Sequence, residues 1–351
     1  GPFALSPDLH TLTVGASSLS QLTVDATGNA LAAVTQGTAF AAGQLTILSG
    51  GQVQLNAAAN DFDQIAVNSD SAVVYDADDL SVTQLQTTGD ATLHAVGALD
   101  NTAGAQIDVG GHAEFEGSQI TLGTHLGDLV QSASLQFHSA GAVEIHADAN
   151  VTLSGSSDAH SLLLESSGSI TNAAGATIDV TDEANFQATS VRLGFEVGDD
   201  VKFGLFSATT TSTTELSEDD STTFGAQVHS DSLHVISQGD ITNSAGSSIH
   251  VTNNADFEGN SLSLGFQAGD DVELGSLSAI TTGSAELSED DSTLISGTLQ
   301  SSTLKVISTS DITNADNSSV SVTGLATFEG NSLTLGFAVA GTVNLGSISS
   351  T

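Results

Sequence analysis

The chain has 351 residues, with 42 Asp and Glu against 3 Lys and Arg, and a formal net charge of -39. So acidic a surface cannot neutralise phosphates, which excludes nucleic acid and anionic membranes as partners. With Arg192, Lys202 and Lys305 as the only fixed cations, phosphate cradles and arginine clamps fall as well.

At 39% hydrophobic and 13% charged residues, with mean hydropathy +0.12, the chain is expected to fold. The absence of Cys removes disulfides, thiolate metal sites and Cys nucleophiles. No apolar run of about 18 residues is present, so membrane insertion through a helix is not expected.

Residues 1–15 read as a cleavage scar, Gly1-Pro2, and a lead-in. Residues 16–90 form a degenerate repeat in which Phe40 opens FAAGQLTIL, a fainter ancestor of the unit that carries Phe115. From there the repetition is plain. Phe115, Phe186, Phe257 and Phe328 share one 71-residue spacing, and so do Asn101, Asn172, Asn243 and Asn314. The text DFEGNSLSLGF at 256–266 returns as TFEGNSLTLGF at 327–337. These columns divide the chain into repeats at 91–161, 162–232 and 233–303 and an incomplete one at 304–351. An array that begins and ends inside repeats is expected to be a slice of a longer one.

Within 233–303, Leu233 and Val235, Ile249 and Val251, Leu262 and Leu264, and Val272 and Leu274 are apolar pairs at the strand period. Turn residues such as NSAGSS and QAGDD separate them. About nine short strands per repeat group into about three coils, at 233–254, 255–276 and 277–303. A coil of this size suits one turn of a three-faced parallel β-helix, an all-β β-solenoid. At roughly 4.8 Å per coil, about fifteen coils make a rod on the order of 70 Å long. Several chains intertwined in one β-solenoid satisfy the same pattern. The Asn column is expected at a turn, bonding its own backbone or a neighbouring Asn.

The segment 232–265, with Leu233-His234-Val235, Ile241 to Asn243 and Gly246 to Val251, resembles the shaft repeats of filamentous-haemagglutinin-like exoproteins and autotransporter passenger domains. The resemblance extends over most of 91–351. It implies a right-handed parallel β-helix, extracellular or on the cell surface, used in adhesion. The unit is long for such families, and neither their secretion module nor a terminal barrel accompanies it.

Three groups of residues are candidates for chemistry. Acid doublets Asp199-Asp200 and Asp270-Asp271 suit polysaccharide cleavage, but they recur at the repeat spacing, where a catalytic site is normally unique. The ten His residues include no metal-ligand spacing, and His234 is replaced by Leu163 and Lys305 in its column. The runs Glu218-Asp219-Asp220 and Glu289-Asp290-Asp291 offer the hard oxygen donors that calcium prefers. They and the two doublets are the candidate calcium ligands, with solvated, mutually repelling loops as the plainer reading.

The expected function is therefore a non-enzymatic shaft of an extracellular bacterial fibre or adhesin, with no certain cofactor and self-association into fibres as the expected partnership. A repetitive ligand-binding module for glycan, ice or mineral is the alternative, motivated by the Thr-rich run 209–214. A β-helical polysaccharide-cleaving enzyme comes third.

Overall fold

A computed structural model describes residues 3–4, 11–14, 18–26 and 33–351, so the Gly1-Pro2 scar lies outside the described residues. Two compact units, Gly1–Ile178 and Asp179–Thr351, are taken in turn. No described residue is helical, and no helix is long and apolar enough to cross a membrane.

The first unit is a parallel ladder wound by one chain. Short alternating segments make its strands: in Ser71–Asp76, SAVVYD, every second side chain is buried, so Ala72, Val74 and Asp76 point inward. Each strand pairs in parallel with one a turn later, as Ile65 does with Val82 and Ile120 with Val143. Val34, Val53, Ala72, Ala91, Ala113, Leu135 and Leu153 follow one another across successive pairings and are all buried. A second inward column runs Leu55, Val74, Leu93, Phe115 and Phe137. Stacking like on like lets a thin core close the backbone of every turn.

The second unit repeats the scheme. Leu216, Val235, Phe257, Ala279, Leu299, Val320 and Val343 form one continuous line of pairings. Three turns along this line carry the chain from Phe257 only to Val320, whereas the next copy of the phenylalanine is Phe328. The 71-residue repeat therefore advances three turns and about a third of a turn.

The coils expected at 233–254 and 255–276 are whole turns, since Leu233 pairs with Ala255 and Ala255 with Leu277. The third interval, 277–303, holds one short turn, from Leu277 to Ile295, plus the extra third. It carries one strand segment more than the nine expected, because Ser248–Gly259, Asp271–Thr281 and Thr293–Ser301 each bend across a corner.

The four phenylalanines nonetheless keep one local environment. Each is buried within a strand, and Phe115, Phe257 and Phe328 pair with Leu93, Val235 and Val306 of the preceding turn. Phe40 differs: it precedes the strand Ala41–Ser49, donates its N–H to Asn60 Oδ1 at 3.3 Å and packs its ring 4.9 Å from Phe62.

Candidate functional site

The repeated polar residues build two structures, a corner and a junction. At the corner Asn243 is buried, and its Nδ2 donates to Ser244 O (2.9 Å), Ser247 Oγ (2.7 Å) and Asp270 Oδ2 (2.8 Å). Its Oδ1 accepts the N–H of Gly265, one turn on, at 3.0 Å. Asn101 does the same with Thr102, Asp128 and Gly123, and Asn314 with Ala315, Ser318 and Gly336. Asn172 donates to Ala173 O at 3.1 Å. The column thus bonds its own turn and the next turn's glycine instead of a neighbouring Asn. Gly265 must be glycine: its φ is +81, and a Cβ there would collide with the Ser288 carbonyl.

The first acid of each doublet belongs to this corner. Asp270 accepts the N–H groups of Gly246 and Gln267 at 3.0 and 2.7 Å, and Asp199 accepts that of Glu196 at 2.7 Å. Asp128, which the doublet pattern misses because Leu129 follows it, occupies the same position. Its side chain is 2% exposed and takes up Asn101 Nδ2 and the N–H groups of Gly104, Ala105 and His125. Burial pushes its carboxyl up, but these donors outweigh burial and hold it below the usual range. The second acids lie outside the corner: Asp200 pairs with Lys202 Nζ at 2.7 Å, and Asp271 is exposed at the start of its strand.

The junction explains the extra third of a turn. The first half of Asp271–Thr281 pairs with Ser248–Val251, but its next-turn neighbour is Asp290 alone. Asp290 Oδ2 accepts Val272 N–H at 3.0 Å, and Asp290 N–H returns to Val272 O at 2.8 Å. The second half pairs with both halves of Thr293–Ser301, Leu277 with Ile295 and Ala279 with Leu299. One strand line ends on a side chain while another divides in two. Asp219 meets Val201 in the same way, and Asp148 meets Val130.

Beside the ending line lies a buried carboxyl. Glu218 and Glu289 are each 2% exposed. Glu218 accepts Phe203 N–H at 2.7 Å and meets Thr222 Oγ1 at 2.7 Å; Glu289 accepts Leu274 N–H at 2.8 Å and meets Thr293 Oγ1. Burial pushes both carboxyls up to about 8. Asp76 stands in the corresponding place of the first repeat, accepts Phe62 N–H at 2.7 Å, and is pushed up by burial to about 7. Asp220 and Asp291 lie further out, and burial raises both.

The three consecutive carboxylates of each run thus face three ways: Glu218 inward, Asp219 onto the preceding turn and Asp220 outward, with Glu289, Asp290 and Asp291 likewise. Among the described residues no three His, Asp or Glu side chains converge on a metal-ion position.

Two outward features escape a search by sequence spacing, because a parallel ladder brings together residues a turn apart. In the first unit His94, Glu116, His138 and Asp158 occupy successive rungs, with His94 Nδ1 and His138 Nδ1 each 2.5 Å from the following carboxylate. They line an open groove of about 380 Å³. In the second unit Arg192 lies 5.0 Å over Phe195, with the His234 ring 5.5 Å from it, and Lys305 lies 4.9 Å over Phe266. Two of the three fixed cations thus cover equivalent phenylalanines.

Fold and corners together define a repeat protein of the parallel β-solenoid class. A family described as repeats of unknown function (DUF5649) matches residues 4–69. No curated protein and no solved structure matches the chain.

Proposed function

We propose that this chain is a non-enzymatic segment of the shaft of an extracellular bacterial fibre or adhesin, of the filamentous-haemagglutinin-like or autotransporter-passenger-like kind. One observation carries the reading: the acidic and Asn motifs that recur with the 71-residue period are spent on closing the ladder, at corners and junctions alike. A scaffold needs such motifs in every copy, whereas a reaction needs one site. The -39 charge suits this role, since it keeps neighbouring ladders from pairing edge to edge.

Pulling the chain from its ends in a force microscope tests the proposal. A shaft gives repeated high-force unfolding steps, and a single low-force extension refutes it. Cleavage of any member of a polysaccharide panel, abolished by H94A/H138A in the groove, would transfer the chain to the enzymes.

Glycan attachment is the second reading, favoured by Phe195 and Phe266, whose rings carry a cation above and have Glu215 and Glu286 on the rungs before His234 and Lys305. A glycan array decides it: retention lost in F195A/F266A supports attachment, and no retention removes it.

A further inference from the structure

The junction carboxyls are buried, yet among the described residues no cation answers them. Glu218 is flanked by Asp219 and Asp220 on its own loop. Ser237 is its rung partner on the next turn, and Phe203 and Thr222 hold its oxygens. The nearby cation, Lys202, is exposed and paired with Asp200, and Asp179 faces the same loop. Glu289 is flanked by Asp290 and Asp291, with Ser308 as its rung partner and with Glu273 and His250 facing Asp291 from earlier turns. A carboxylate in such surroundings is uncompensated, whereas a carboxylic acid fits them: one oxygen accepts the main-chain N–H and the other gives its proton to the Thr hydroxyl.

The repeat also contains its own control. The copy at 91–161 places Ala147 where Glu218 stands and Val151 where Thr222 stands, so the acid and its hydroxyl partner are exchanged together for apolar residues. A void of about 10 Å³, lined by Val130, Ser132, Ala147 and Val151 among others, marks the missing carboxyl. The junction therefore forms without the acid, and the Glu–Thr pair is an addition to it.

We propose that Glu218 and Glu289 are built into the fold as un-ionised carboxylic acids, latches that hold the strand junctions closed in acid and release them when the acids ionise. The released part is local: the start of each strand Asp200–Thr210 and Asp271–Thr281, whose next-turn partners are the latch and its neighbouring Asp. Asp76 is a weaker version, sharing its oxygens between Phe62 and Asp78 N–H groups.

The test uses the full chain, E218Q/E289Q, and E218A/T222V/E289A/T293V, which imports the apolar pair of the second copy. Amide exchange at Phe203 and Leu274, corrected for intrinsic rates, is followed from about pH 5 to about pH 9, together with the carbon-13 shifts of the Glu carboxyls. The parent is expected to lose protection at these two amides at least tenfold across the range. Both variants should keep a flat profile there while sharing the parent's pH response elsewhere. Two results overturn the proposal: Glu218 and Glu289 resonances that titrate with the surface carboxylates, or a Gln variant whose profile at Phe203 and Leu274 matches the parent's. Should the apolar variant fail to fold, the Gln variant and the carboxyl shifts still decide.

Discussion

Replacing Asp290 by alanine removes the one side chain that stands in for a strand. In the intact chain Val272 N–H donates to Asp290 Oδ2 at 3.0 Å, and Val272 itself is wholly buried. The return bond from Asp290 N–H to Val272 O, 2.8 Å, is main chain and survives the change. One buried donor is thus left unpaired, at about 1–3 kcal/mol. The lower half of that range applies, because Asp290 lies at the surface and water can reach part of the gap. D290N keeps an acceptor oxygen and should fall within about 0.5 kcal/mol of the parent. Because a ladder opens locally, the assay is amide exchange at Val272 alongside the urea midpoint. D290A should raise exchange there about tenfold, and D219A should do the same at Val201. A Val272 amide equally protected in D290A, with an unchanged midpoint, would show that the carboxylate does not cap the line.

Other outcomes follow from the same geometry. Phe257→Ala, at a fully buried site, should cost about 3–5 kcal/mol by thermal or urea unfolding. Each latch carboxyl has a folded value near 8 against an ordinary 4.5, so its contribution is complete below about pH 4.5 and lost as pH rises to about 8. That loss is on the order of 5 kcal/mol per group, read as the difference in urea stability between parent and Gln variants. Asp128, held low, acts oppositely, and its share is lost as pH falls. Calcium and sodium at equal ionic strength should shift the thermal midpoint alike. A calcium-specific rise, lost in D200N/D271N, would instead reveal resident ions at the outward acids.

The strands, the repeat and the buried phenylalanines were legible in the sequence because inward positions such as Leu233, Val235 and Phe257 alternate cleanly with polar ones. The Asn column was legible as a turn, but its partners were not. Asn243 meets Gly265 and Asp270 only once the ladder sets the turn length, which local spacing does not state. The roles of Glu218, Asp219 and Asp220 were hidden for a related reason. Three adjacent acids read as one charge run, whereas a strand end sends consecutive side chains to opposite faces, and the corner after it turns the third away. Ala147 and Val151 carried a signal, since a position that alternates between Glu and Ala reads as interior rather than solvated.

The fractional advance of the repeat gives a test that separates the sequence period from the turn period. Deleting residues 233–303 joins Ser232 to Leu304, positions one 71-residue repeat apart, and leaves every corner and junction followed by the segment it normally meets. The strand lines exchange identities, as they already do at each junction, so no line is asked to carry an unfamiliar corner. Deleting residues 257–319 also removes a whole number of turns, because Phe257 and Val320 share one line. It takes away the Glu289 junction, however, and sets the bent corner after Val322 over the turn that follows Ser237. If the junction governs the winding, the first deletion retains parental circular dichroism and a cooperative urea transition, and the second loses both. Cooperative unfolding of the second chain would mean that whole turns are the interchangeable unit and that the carboxylate junction merely decorates them.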